Sequence, residues 1–133
     1  MSEEIATGIP AEGTPEVPVQ PAQELIDIDY FSKIELRVAV IESAVQLPKS
    51  KKLLKLQIDL GPLGKRQILS GIALHHSPES LVGRKIVVIA NLKPARLMGE
   101  ESQGMLLAAS TEDDSVLALL QPDVEIGAGA RVR

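Results

Sequence analysis

The chain contains no cysteine and no tryptophan, and only one tyrosine and one phenylalanine in 133 residues. Without cysteine there is no disulfide and no thiolate metal site. With so few aromatics, a binding mode that stacks bases one after another on rings has almost nothing to work with. No apolar run approaches the roughly 20 residues that span a bilayer as a helix. The opening Met1-Ser2-Glu3-Glu4 is acidic and has no apolar stretch, so no secretory signal is read there and a cytoplasmic location is expected. The length suits one domain with a single core and excludes a large multidomain enzyme.

What is present is charge, unevenly placed. Residues 1–29 carry seven acidic side chains and no lysine or arginine. From Lys33 to Arg96, twelve basic residues face four acidic ones, a net charge of +8. Residues 97–133 swing back to −5, with seven acids and two bases. The overall −4 therefore conceals a basic middle, and the local field of such a patch steers a polyanion. A solvated basic face on an ordinary domain is the plain alternative.

Residues 1–25 contain Pro10, Pro15, Pro18 and Pro21 and no aromatic residue. Such a stretch buries too little apolar surface to offset its ordering entropy, and it is expected to be a disordered acidic tail or linker. The folded domain is expected over 26–133. There Ile34, Leu36, Val38 and Val40 alternate with Glu35, Arg37 and Ala39, a half-buried strand with the first set inward. Leu54, Leu56, Ile58 and Leu60 form a second stripe. Gly61-Pro62-Leu63-Gly64 turns the chain, and Lys65 to Ile72 returns antiparallel. Ser77-Pro78-Glu79 predicts the N-cap and first turn of a short helix that ends at Gly83. Lys85 to Ala90 reads as a strand buried on both faces. Asn91 to Gly104 reads as a long polar loop, and 105–109 and 116–120 as two further strands.

Three strands, a short helix and further strands are the order of an all-β protein. The expected fold is a five-stranded Greek-key barrel of the oligonucleotide/oligosaccharide-binding (OB) type, with the helix between strands 3 and 4 and extra C-terminal strands. Another small barrel, such as an SH3-like one, is the alternative. Val116, Leu117, Leu119, Leu120 and Val124 give more apolar surface than a small barrel needs, which points to a homodimer interface.

No constellation for chemistry is found. His75 and His76 are adjacent, and neighbouring side chains diverge, so they make no two-histidine metal face. Ser70-Gly71 lacks the spacing of a nucleophile elbow. The Gly-Ala-Gly-Ala stretch near the C-terminus is not a phosphate loop. No catalytic residue, metal or cofactor is expected, and the domain is expected to bind rather than catalyse. The basic residues fall in three places: Lys49, Lys51, Lys52 and Lys55 around the start of the second strand, Lys65 and Arg66 after the turn, and Lys93 and Arg96 after the fourth strand. In an OB barrel the loops after strands 1 and 4 flank one face, so these can converge. A folded RNA, read through phosphates, 2′-hydroxyls and shape, suits that equipment better than a single strand.

Four stretches carry a family resemblance: Tyr30 to Val38, Lys52 to Leu56, Arg66 to Ile72, and Asn91-Leu92-Lys93-Pro94-Ala95-Arg96-Leu97-Met98-Gly99 continuing through Ser102, Gly104 and Met105. From about Ile26 to Arg133 the chain resembles the tRNA-binding domain found at the C-terminus of many bacterial methionyl-tRNA synthetases. The same domain also occurs as a free-standing dimeric tRNA-binding protein. The resemblance implies tRNA as partner, read by shape, and a homodimer that serves as a synthetase appendage or works alone. It implies that Asn91, Lys93, Arg96, Met98 and Ser102 belong to a tRNA-facing loop and that Lys52 and Arg66 add phosphate contacts. Lys51 departs from the family, which often has an acidic residue there, and Leu47 stands where many relatives have a polar residue. A related export-chaperone branch, which would bind peptide, typically lacks the full loop from Asn91 to Met105.

Overall fold

The computed structural model describes residues 24–133, so the expected tail lies almost wholly outside the described residues. The order of elements is α1 (Ile28–Phe31), β1 (Leu36–Gln46), β2 (Leu54–Asp59), β3 (Lys65–Ser70), α2 (Pro78–Leu81), β4 (Lys85–Ile89), β5 (Ala95–Leu97), β6 (Glu100–Ser102), β7 (Met105–Leu106), β8 (Ala108–Ser110), β9 (Leu117–Leu119) and β10 (Arg131–Val132). The main sheet runs β3-β2-β1-β4-β7, all antiparallel, with β10 added beside β1. After β6 the chain comes back against β3, where the Gln103 N–H donates to the Gln67 carbonyl at 2.8 Å. That return nearly closes the sheet into the expected OB-type barrel.

The second stripe behaves as read: Leu54, Leu56, Ile58 and Leu60 are all buried in the core. β2 and β3 pair from Leu54↔Ser70 to Asp59↔Lys65 around a short 3₁₀ turn at Gly61–Leu63. The inward face of β1 differs from expectation. Ala39 and Ile41 are the residues of β1 in the core cluster. Leu36 and Val38 are also buried, but alternation puts them on the opposite face, and Ile34 is exposed. The C-terminal segment is added beside this part of the strand. It runs along the first half of β1, with the Val38 N–H donating to the Ala130 carbonyl at 2.9 Å and the Gly129 N–H donating to the Val38 carbonyl at 2.7 Å. A chain added from so far away in sequence cannot be anticipated from a local alternation.

α2 is a single turn whose Leu81 is fully buried among the barrel residues. Pro78 takes the first helical position and Gly83 follows with φ +89°, both as read. Ser77 stands at the N-cap but its side chain makes no capping bond; the Ser80 hydroxyl donates to the Ser77 carbonyl instead. β4 is buried on both faces through Ile86, Val87 and Val88.

Two expectations for the second half are corrected. The long loop of 91–104 contains a β-hairpin, β5–β6. The apolar C-terminal strands are not surplus surface throughout. Leu119 belongs to the core and Leu117 packs against it, because β8 and β9 form a hairpin folded back on the barrel; Val116, Leu120 and Val124 are exposed. His75 and His76 hold that hairpin. Their Nε2 atoms lie 2.7 Å from the Asp114 carbonyl and 2.9 Å from the Leu117 carbonyl, and since a carbonyl only accepts, both Nε2 atoms carry the proton.

Candidate nucleic-acid interface

The β5–β6 hairpin is the centre of the candidate site. Ala95, Arg96 and Leu97 pair with Ser102, Glu101 and Glu100 across a two-residue turn, Met98-Gly99. Both turn residues have positive φ, +52° and +81°, the pattern of the tight type I′ hairpin turn. Glycine accepts that conformation freely, whereas a residue with a β-carbon is disfavoured there by about 1–2 kcal/mol. Met98 holds it nonetheless, with its side chain half exposed at the tip.

Three groups pin the hairpin to the barrel. Ser102 is buried; its hydroxyl accepts from the Leu69 N–H at 2.9 Å and donates to the Gly104 carbonyl at 3.0 Å. Gln67, on β3, gives its amide to the Glu101 carbonyl at 2.9 Å, while its N–H donates to the Gln103 side chain at 3.0 Å. Asn91, at the hairpin's entry, bridges to the chain before β1. Its Oδ1 accepts from the Glu35 N–H at 2.8 Å and its amide donates to the Lys33 carbonyl at 2.7 Å. Gly104 follows Ser102 at φ +146°, and a β-carbon there would stand 2.9 Å from the Ile89 carbonyl oxygen, so the backbones of β4 and the hairpin's exit can approach only with glycine.

The seven residues singled out from the sequence therefore divide. Lys93 and Arg96 are exposed on the hairpin and its approach, and Met98 is at its tip. Among the described residues Lys93 makes no ion pair, and Arg96 donates only to the Gly99 carbonyl at 3.0 Å within its own turn. Lys52 is exposed at the end of the β1–β2 loop, its carbonyl accepting from the Ala73 N–H at 2.9 Å. Arg66 is half-buried on β3, and its guanidinium donates to the Ala90 carbonyl at the end of β4. Asn91 and Ser102 direct their side chains to backbone groups of the domain itself.

The basic segments do meet. Lys55 on β2 is 3.6 Å from Glu100 on the hairpin, and Arg66 on β3 reaches the residue just before Asn91. The β1–β2 loop carries Lys49, Lys51 and Lys52, all exposed, directly into β2. Lysine- and arginine-bearing stretches of β2, β3 and the hairpin's approach are thus linked by these contacts. The aromatics are elsewhere: Tyr30 and Phe31 belong to α1, and Lys33 sits 5.2 Å from the Tyr30 ring centre as a cation–π partner. Sequence reading passed over Gln67 and Gln103. Gln67 was within a recognised motif, but its polar side chain on a half-buried strand was the signal for a docking role.

An OB-type barrel with linked basic stretches, few aromatics and a pinned hairpin belongs to the class of nucleic-acid-binding barrels. Comparison with known proteins narrows this. Residues 36–131 match the family model described as "Putative tRNA binding domain", and the chain belongs to that family. It is 58% identical over 114 residues to a methionine–tRNA ligase of Thermotoga maritima and 54% identical over 110 residues to one of Methanocaldococcus jannaschii. These alignments cover 86% and 83% of this chain but only 18% and 17% of the relatives, so the chain spans about a sixth of their length. Among solved structures, a MetRS-related protein from Pyrococcus horikoshii matches with a TM-score of 0.79 at 41% identity, covering 84% of this chain and all of that one. The chaperone CsaA from Bacillus anthracis matches with a TM-score of 0.75 at 29% identity, covering 83% of this chain and all of that one.

Proposed function

We propose that this chain is a non-catalytic module that binds tRNA by its folded shape. It would serve in the cytoplasm as a homodimer, either as an appendage of a methionyl-type synthetase or as a free-standing protein. The observation that carries the reading is the hairpin of 95–102. It presents Lys93 and Arg96 to solvent while Ser102, Gln67 and Asn91 fix its position. Cations on a fixed frame suit a ligand whose phosphates are themselves fixed by a fold. Lys52, Lys93, Arg96 and Met98 are the contact residues in this reading. Arg66, Asn91 and Ser102 act by placing them. As an appendage the module would raise the local concentration of tRNA at a catalytic chain, with the Pro-rich tail as tether.

The test is fluorescence anisotropy with labelled tRNA at three salt concentrations, with a single strand of equal length as competitor. Binding should weaken with a log–log slope of about −0.7 to −0.9 per phosphate contacted, and the single strand should compete poorly. Ready displacement by the single strand would overturn shape reading.

The likeness to the chaperone CsaA supports a second reading, a dimeric peptide-binding chaperone. Leu92, Leu97, Met98 and Met105 are exposed around the same hairpin and offer it apolar surface. Peptide binding through such surface would barely change with salt, which separates the two.

A further inference from the structure

Met98 is the residue of the interface that electrostatics does not explain. It sits at the first central position of the hairpin turn, with φ +52°. The only other non-glycine residue with positive φ among the described residues is Asp114, of a type that tolerates this conformation. Asparagine, aspartate or glycine is the ordinary occupant of such a turn. A long apolar side chain there gains only part of what burial could give, because it is 52% exposed, and Leu97 beside it is 44% exposed. Lys93 and Arg96 precede Met98 with no acidic residue between Asn91 and Gly99, and Glu100 and Glu101 follow the turn on the paired strand. The tip is thus an apolar point with cations on the chain that enters it and carboxylates on the strand that leaves it.

We propose that Met98 is a base-reading contact: its thioether side chain packs on the face of an exposed nucleobase in the folded RNA, while Lys93 and Arg96 hold the flanking phosphates. The inference rests on the RNA-binding reading and deepens it. A base face is broad, apolar and polarizable, and the thioether is flexible and polarizable, so the two match by dispersion. The chain puts neither of its aromatic residues on this hairpin, which leaves Met98 as the side chain at the tip able to meet such a face. In a fully paired duplex the base faces are stacked away, so this contact distinguishes a folded RNA with an unstacked base from a plain helix. Shape selectivity then has a residue behind it, separate from the salt-sensitive affinity.

Met98→Asn separates this role from a structural one, because asparagine suits the turn better than methionine does. The variant is expected to unfold at an equal or higher temperature than the parent, yet to bind labelled tRNA about tenfold more weakly. Its salt slope should equal the parent's, since no phosphate contact is removed. On a fully paired RNA duplex of equal length, parent and variant should bind alike. Met98→Leu, which restores an apolar tip, should recover most of the tRNA affinity. Unchanged tRNA binding by Met98→Asn would overturn the inference, and so would an equal loss on tRNA and duplex. A loss that Met98→Leu does not recover, or one accompanied by lower stability, would also overturn it. A parent that binds tRNA weakly and without salt dependence would instead refute the RNA-binding reading itself.

Discussion

Gln67 and Gln103 hold each other by reciprocal bonds: the Gln67 N–H donates to the Gln103 side-chain oxygen at 3.0 Å, and the Gln103 N–H donates to the Gln67 carbonyl at 2.8 Å. The pair lies where the hairpin's exit returns to β3 and nearly closes the barrel. Gln67 also receives the Gln57 amide at 3.0 Å, so the hairpin is linked through one side chain to β2 as well. Closing the barrel and placing the hairpin thus rest on the same set of bonds. Under the proposed function, fold and binding are therefore coupled at β3 and uncoupled at the hairpin's outer face.

Ser102 tests the coupled side. Ser102→Ala leaves the Leu69 N–H and the Gly104 carbonyl without their buried partner, a loss of about 1–3 kcal/mol. Urea denaturation should show that loss. Affinity for tRNA should fall while the salt slope stays constant, because every cation remains. A reduced slope with unchanged stability would make the hydroxyl a direct RNA contact.

Lys93 and Arg96 test the uncoupled side. Replacing both by alanine should flatten the log–log salt slope by about 1.5, two phosphate contacts' worth. The fold should stand, since both are exposed and neither carries a bond to the barrel among the described residues. Binding and slope both unchanged would move the site away from the hairpin.

Lys52 and Arg66 were grouped by sequence as phosphate contacts, and their surroundings separate them. Lys52→Ala should lower the slope by about 0.8 and leave stability within about 0.5 kcal/mol. Arg66→Lys keeps the charge but loses the planar fork that reaches the Ala90 carbonyl. It should therefore keep the slope and lose about 1 kcal/mol of stability in urea denaturation. If Arg66→Lys is as stable as the parent, the guanidinium is free for RNA after all.

The barrel was legible because alternation at Leu54, Leu56, Ile58 and Leu60 and the run of Ile86 to Val88 are local signals that the structure uses locally. β1 was legible only in part: Leu36 and Val38 are buried as read, but Ala39 is small and Arg37 is charged, so the other face, which gives Ala39 and Ile41 to the core cluster, was missed. The edge of β1 is moreover taken by the segment 129–132, from the far end of the chain. The hairpin at 95–102 was hidden for another reason: its turn carries Met98-Gly99 in place of a common turn pair, and its strands are three residues each. The residues proposed as contacts could be listed only through family resemblance. Which of them face outward was not legible, since Asn91 and Ser102 look like surface polar residues until their backbone partners are known.

The segment at 121–126 gives a prediction with a sign. Lys85 on β4 donates to the Glu125 carboxylate at 2.7 Å and also to the Ile126 carbonyl, and Arg84 donates to the Gln121 side chain at 2.9 Å. The hydrogen bond from Lys85, and then its positive charge, hold the Glu125 carboxyl below its ordinary value of 4.5. A carboxyl depressed by folding stabilises the folded chain above the unfolded value, and that contribution is lost as pH falls through the folded one. Glu125 is exposed, so the effect on overall stability is small and the titration itself is the better readout. Carbon-detected NMR of the Glu125 side chain should give a midpoint below 4.5 in the parent and close to 4.5 in Lys85→Met. Lys85 is taken up by a carboxylate and a carbonyl, so Lys85→Met should leave the salt slope of tRNA binding unchanged. A midpoint that ignores Lys85 would show that the 121–126 segment does not hold this position against β4 in solution.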